Sequence, residues 1–149
     1  TFILLFTAFL AVTINYSRAF KIKNQIIDLI EEEEGFTSDN TDSDPGAAQR
    51  IDNYLSTSGY RNLGSCPTDG SWRVWNKSDI SMPDRNTKYS YCVKKHNKHN
   101  ASYPQEAYYE IIVFFNLNLP VFGEFMTFKV SGETTDIFYP SDCKIWGEC

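Results

Sequence analysis

Hydrophobicity in this chain is concentrated at its start and then changes rhythm twice. Residues 1–17 carry no charged side chain and are dominated by Phe2, Ile3, Leu4, Leu5, Phe6, Phe9, Leu10, Val12 and Ile14. From Ala19 the apolar positions thin to a stripe of Ala19, Ile22, Ile26, Leu29 and Ile30 at three- and four-residue steps. Lys21, Lys23, Gln25, Asp28 and Glu31 are expected on the remaining surface. No Gly or Pro interrupts this run before Gly35, which reads as the left-handed residue just past a helix end. The pattern predicts one helix over residues 1–34, about 50 Å long, apolar all round in its first half and amphipathic in its second.

After the helix the rhythm shortens. Residues 36–46 are polar and turn-rich, a linker. Asp44-Pro45 offers an N-cap and a first helical position for a short helix through Arg50, Ile51, Tyr54 and Leu55 that stops at Gly59. Residues 72–75 and 88–93 read as strands. The clearest strand is 109–119, whose odd positions (Tyr109, Ile111, Val113, Phe115, Leu117, Leu119) are all apolar while Glu110, Asn116 and Asn118 fall between them. Pro120 ends it, Gly123 turns, and 125–131 returns with Met126, Phe128 and Val130 on one face. A third strand is expected over 134–139. Short connections and alternation predict an antiparallel meander, so the fold class is α+β: a long N-terminal hydrophobic helix (residues 1–34) and a β-sheet head (residues 35–149).

A helix that is apolar around its whole circumference must be covered on every side, by lipid or by protein. The residues after 34 are too few to wrap it and also fill their own core. The 17 charge-free residues sit at the lower limit for a helix crossing a hydrocarbon core of about 30 Å. A cleaved signal peptide would place basic residues before the apolar core and small residues at a cleavage site after it. Here the run passes into Asn15-Tyr16-Ser17-Arg18 with no such site. The expectation is therefore a segment held in a membrane, in a bundle of identical helices, or in each at different times. Its contact residues would be Phe2, Leu5, Phe6, Phe9, Leu10 and Ile14.

The charges refine this expectation. Arg18, Lys21 and Lys23 precede the run Glu31 to Glu34, whose carboxylates oppose the macrodipole at a helix C-terminus. One reading is a solvated, frayed helix end. The sharper one is pairing of Arg18, Lys21 and Lys23 with Glu31 and Glu33 of axially shifted copies, since 12 residues from Lys21 to Glu33 span about 18 Å.

Among the 149 residues, aromatics make up 15%, enough to fill a core and to make wholesale disorder unattractive. The net charge of −5 argues against a nucleic-acid partner, which calls for a basic face. Four cysteines, Cys66, Cys92, Cys143 and Cys149, lack the paired spacing of a zinc site. Their even number predicts two disulfides and folding outside the reducing cytoplasm. Three pairings are open, and the shortest loops favour Cys66–Cys92 with Cys143–Cys149.

Catalytic patterns were sought and none is present: no Gly-x-Ser-x-Gly, no phosphate-binding glycine loop, no His-Glu-x-x-His. No enzyme activity, cofactor or metal is expected. His96 and His99 lie among Lys94, Lys95 and Lys98, which read as a solvated loop tip with charge unfavourable to a cation. Asp39, Asp42 and Asp44 lack the Gly and Glu positions of a calcium hand. Trp72, Trp75 and Trp146 could stack on sugars, but packing is the simpler role. Asn76-Lys-Ser78 and Asn100-Ala-Ser102 match a glycan acceptor pattern.

Residues 14–26, Ile-Asn-Tyr-Ser-Arg-Ala-Phe-Lys-Ile-Lys-Asn-Gln-Ile, resemble the TadE-like pilins and pseudopilins of bacterial tight-adherence systems. In that family an apolar helix is followed by an aromatic, an Arg, a second aromatic and an Asn, positions that fall here on Tyr16, Arg18, Phe20 and Asn24. Leu119-Pro120-Val121-Phe122-Gly123 and Phe128 to Thr134 also resemble the C-terminal sheet of Gram-positive members. Leu5 stands where many pilins carry Glu. The resemblance implies a lollipop-shaped subunit, a leader removed by a prepilin peptidase, storage in the membrane, and assembly into an extracellular homopolymer by a secretion ATPase. Two rivals stand beside it: a minor pilin or pseudopilin that primes or tips a filament, and a membrane-tethered binding module or small enzyme with a signal anchor.

Overall fold

The charge-free run and the amphipathic run fuse into one helix, α1 (Phe2–Glu32), in the computed structural model, which describes residues 1–33, 35–36, 40–41, 44–76, 79–98, 105–119 and 124–139. Its end differs from expectation. Glu33 caps it with φ −86°, and Gly35 follows at φ 146°, positive but far from the left-handed helical value of about +57°. The Gly35 N–H still reaches the Ile30 carbonyl at 2.9 Å and satisfies one of the orphan acceptors of the last turn.

Asp44 and Pro45 do not start the second helix. They form a short strand, β2 (Asp44–Pro45), paired antiparallel with β1 (Asn40–Thr41). A proline's fixed φ suits an edge strand as well as a first helical turn, so the sequence alone could not separate the two. Helix α2 (Ala47–Ser58) begins two residues later with Gly46 as its cap. It stops as expected at Gly59, whose φ of 68° is left-handed and whose neighbour Tyr60 donates from its N–H to the Leu55 carbonyl.

A six-stranded antiparallel sheet is built around one long strand, β6 (Gln105–Leu119). On one side it pairs with β5 (Tyr91–Lys98), from Tyr91 opposite Val113 to Lys98 opposite Glu106, and beyond β5 lie β3 (Trp72–Asn76) and β4 (Asp79–Ser81). On the other side it carries β7 (Glu124–Glu133) and then β8 (Ile137–Tyr139) in succession. Thr134 bridges the gap between them: its N–H donates to the Tyr109 carbonyl and its hydroxyl accepts from the Tyr109 N–H, each at 2.9 Å. Several expected boundaries shift: β6 begins at 105 and not at 109, and β7 covers 124–133 and not 125–131. Residues 134–136 are outside the last strand, and β5 runs from 91 to 98 where a strand over 88–93 was expected. Lys94 to Lys98 are therefore ladder residues and not a loop tip.

The stripe of α1 lies over β6 and β7, with α2 beside it. Ile22, Ile26 and Ile30 pack with Tyr109, Ile111 and Val113 of the sheet and with Ala47, Ala48, Ile51 and Leu55 of α2. Each fully buried isoleucine contributes about 1.5–3 kcal/mol. The odd face of β6 is thus buried as its alternation predicts. Its even face is buried too at Ile112 and Phe114, where the chain before β3 crosses the sheet. Gly64 lies so close to the Phe114 ring that a Cβ would overlap it, so only glycine fits. Cys66, one of this covering segment, is bonded to Cys92 on β5, the short-loop pairing favoured by sequence. Cys143 and Cys149 lie outside the described residues.

Candidate functional site

Two halves of α1 meet different surroundings. Phe2 is 81% exposed, Phe9 and Ile14 each 66%, and Leu5, Phe6 and Leu10 are also open, whereas Ile26 and Ile30 are fully buried. The first half is not free of the head throughout. Ala8 and Val12 pack against Phe115, Leu117 and Val130, and Ala19 completes that cluster. The helix therefore touches the sheet earlier than its amphipathic period suggests, through small side chains. Its large apolar residues face away. The whole helix is long and apolar enough to cross a membrane.

The few polar side chains of this segment turn back on the helix itself. Thr7 donates to the Ile3 and Leu4 carbonyls, Thr13 to Phe9, and the Asn15 amide to Ala11, at 2.8–3.0 Å. Such bonds leave little need for water, a requirement for any segment that enters lipid or a dry helix bundle.

Of the charged residues expected to link copies, Arg18, Lys23, Glu31 and Glu33 have partners within the chain. Glu33 holds Arg50 at 2.9 Å, with Glu32 at 3.7 Å from the same guanidinium. Glu31 accepts from the Thr135 N–H at 2.9 Å and from its hydroxyl at 3.3 Å. The acidic run is thereby tied to α2 and to the connection after β7. Lys23, expected on the surface, is only 8% exposed: its stem crosses Gly132 and its ammonium sits 3.9 Å from the centre of the Phe20 ring. Arg18 donates to the Ser58 carbonyl at 3.4 Å and lies over the Tyr60 ring. Lys21 is exposed. Arg50, Thr135 and Tyr60 are long-range partners that no local pattern marks.

Tyr60 donates to the Phe114 carbonyl, and burial raises its pKa, partly offset by Asn62 and Arg18. It also borders an open cleft of about 310 Å³ with Asp52, Ser56, Arg61 and Ser90. His96 lies 2.8 Å from Glu110 and stacks on Tyr108. No group of three or more metal-ligating side chains occurs among the described residues. Trp72 is buried and Trp75 packs on the main core, so both serve packing. Asn76 is exposed at the end of β3. His99, Asp39, Asp42, Asn100 and Trp146 lie outside the described residues.

No family model, curated protein or solved structure matches the chain.

Proposed function

We propose that this protein is a structural subunit of an extracellular, type IV pilin-like filament, stored in a membrane through α1 and polymerised by packing of that helix. The observation that carries the reading is the exposed row Phe2, Leu5, Phe6, Phe9, Leu10 and Ile14 on a 31-residue helix whose other end is locked into an α+β head. Leaving such a row in water is unfavourable by about 25 cal/mol for each Å² of apolar surface, so a second apolar phase must cover it. Lipid and a bundle of identical helices are equally apolar. Passage between them gains little from the hydrophobic effect, and close fit of side chains then selects the partner.

The resemblance to TadE-like pilins adds the remaining partners to the proposal: a prepilin peptidase and a secretion ATPase. The intrachain partners of Glu31, Glu33 and Lys23 favour apolar packing over a charge ladder as the force between copies. A second reading, a membrane-tethered binding module, draws support from the cleft lined by Asp52, Tyr60 and Arg61.

Electron microscopy of the purified protein, wild type beside Phe6→Asp and Leu10→Asp, tests the proposal. A buried aspartate at a helix centre costs about 2.5–3.5 kcal/mol in an apolar phase. Wild-type fibres and none from either variant, with the head still folded, are expected. Fibres of normal length from both variants would refute helix packing as the mechanism.

A further inference from the structure

Towards α1, the far half of β6 and β7 presents an apolar face (Phe115, Leu117, Met126, Phe128) level with the exposed half of the helix. On α1 no charge occurs before Arg18. Between Glu110 and Lys129 the hairpin sequence carries a single charge, Glu124. The two boundaries are brought level by packing. Lys23 crosses Gly132, Ala19 packs with Val130, and Tyr16 meets Phe115 edge-on while Phe115 stacks on Phe128. Helix and hairpin therefore run side by side, and both change from charged to apolar at one plane.

Arg18, Lys21 and Lys129 mark that plane, and all three are exposed. Beyond it Met126 and Phe128 are 40% and 37% exposed on the sheet face that α1 crosses. An aromatic layer (Tyr16, Phe20, Phe128) beside a basic layer matches the order of groups at a bilayer boundary, where aromatic rings sit at headgroup level and basic side chains reach to lipid phosphates. From Lys129 to Met126 the strand descends about 10 Å, the depth of the headgroup–acyl boundary.

We infer that the apolar face of β7 at Met126 and Phe128 enters the lipid bilayer beside α1, so that the head is seated on the membrane by sheet and helix together. This rests on the reading that α1 is held in a membrane before assembly. A head fixed at two points cannot swing about the helix, and its release requires lifting Met126 and Phe128 out of lipid as well as withdrawing α1.

Photo-crosslinking of the full chain in phosphatidylcholine–phosphatidylglycerol vesicles tests this. A benzophenone side chain is placed at Phe9, at Phe128, or at exposed Asn97 at the opposite end of the sheet, and retention of the Cys66–Cys92 bond verifies folding. Lipid adducts at 9 and 128, several-fold above those at 97, are expected. Adducts at 9 with a yield at 128 no higher than at 97, or with 128 linked to a second copy of the chain instead, overturn the inference and leave the anchored helix standing. Loss of lipid adducts at 9 overturns both.

Discussion

The first and second halves of α1 share one backbone and obey opposite rules. In the second half, Ile22, Ile26 and Ile30 are buried by the chain's own sheet and α2, so substitutions there act on folding. In the first half, small residues touch the sheet and large ones point away, so under the proposed function substitutions there act on what the molecule joins. On that reading one helix separates stability from association, with the division near Ala19.

The sharpest way to break this division is to delete the same mass on either side. Ile26→Ala is expected to cost about 2–5 kcal/mol of head stability, read from urea unfolding followed by tryptophan fluorescence. Ile14→Ala should leave that midpoint unchanged within about 0.5 kcal/mol. Equal losses from both would mean that the first half is also core. Next in size is the staple under the sheet. Cys66→Ser with Cys92→Ser should lower stability by about 2–4 kcal/mol without altering association, because Cys66 and Cys92 lie on the face away from α1; a variant that folds as well but no longer assembles would contradict this.

Alkaline unfolding gives a smaller, signed effect. Tyr91 is buried, and burial, then the charge of Asp52, raises its pKa above the ordinary 10.0. The folded state keeps this proton while the unfolded chain loses it. Stability is therefore fully present below pH 10 and falls above it, by about 1.4 kcal/mol per pH unit. The Tyr91 hydroxyl has no hydrogen-bond partner among the described residues. Tyr91→Phe should thus leave neutral stability unchanged or higher and flatten the alkaline slope, and an unchanged slope would mean that another group sets it. The smallest effect belongs to Arg50→Ala. Its pairs with Glu32 and Glu33 are partly exposed, so the loss should be under about 1 kcal/mol and shrink with added salt.

What the sequence revealed and what it hid follow from the range of the forces involved. The long helix, the Gly59 stop and the odd face of β6 are local patterns and were legible. Lys23 was hidden by its chemistry: it lies three residues before Ile26 and four after Ala19, in the middle of the buried stripe, but its charge suggested solvent. Periodicity was the better guide there, because a lysine stem can cover Gly132 while its head rests on Phe20. Burial of Ile112 and Phe114, on the face that also carries Glu110 and Asn116, could not be read because the segment that covers them, with Gly64 and Cys66, lies far away in sequence. The partners of Glu31 and Glu33 are long-range for the same reason. Of the candidate surface, the apolar row Phe2 to Ile14 was readable. Its alignment with the β6–β7 hairpin was not, since that register exists only once the sheet has formed.

Sedimentation of the 149-residue chain without detergent or lipid bears most directly on the claim that α1 must borrow its cover. The account predicts polymers or precipitate and no stable monomer, with dispersion restored by detergent. A monodisperse species of 17.1 kDa in plain buffer, with a folded head, would contradict it.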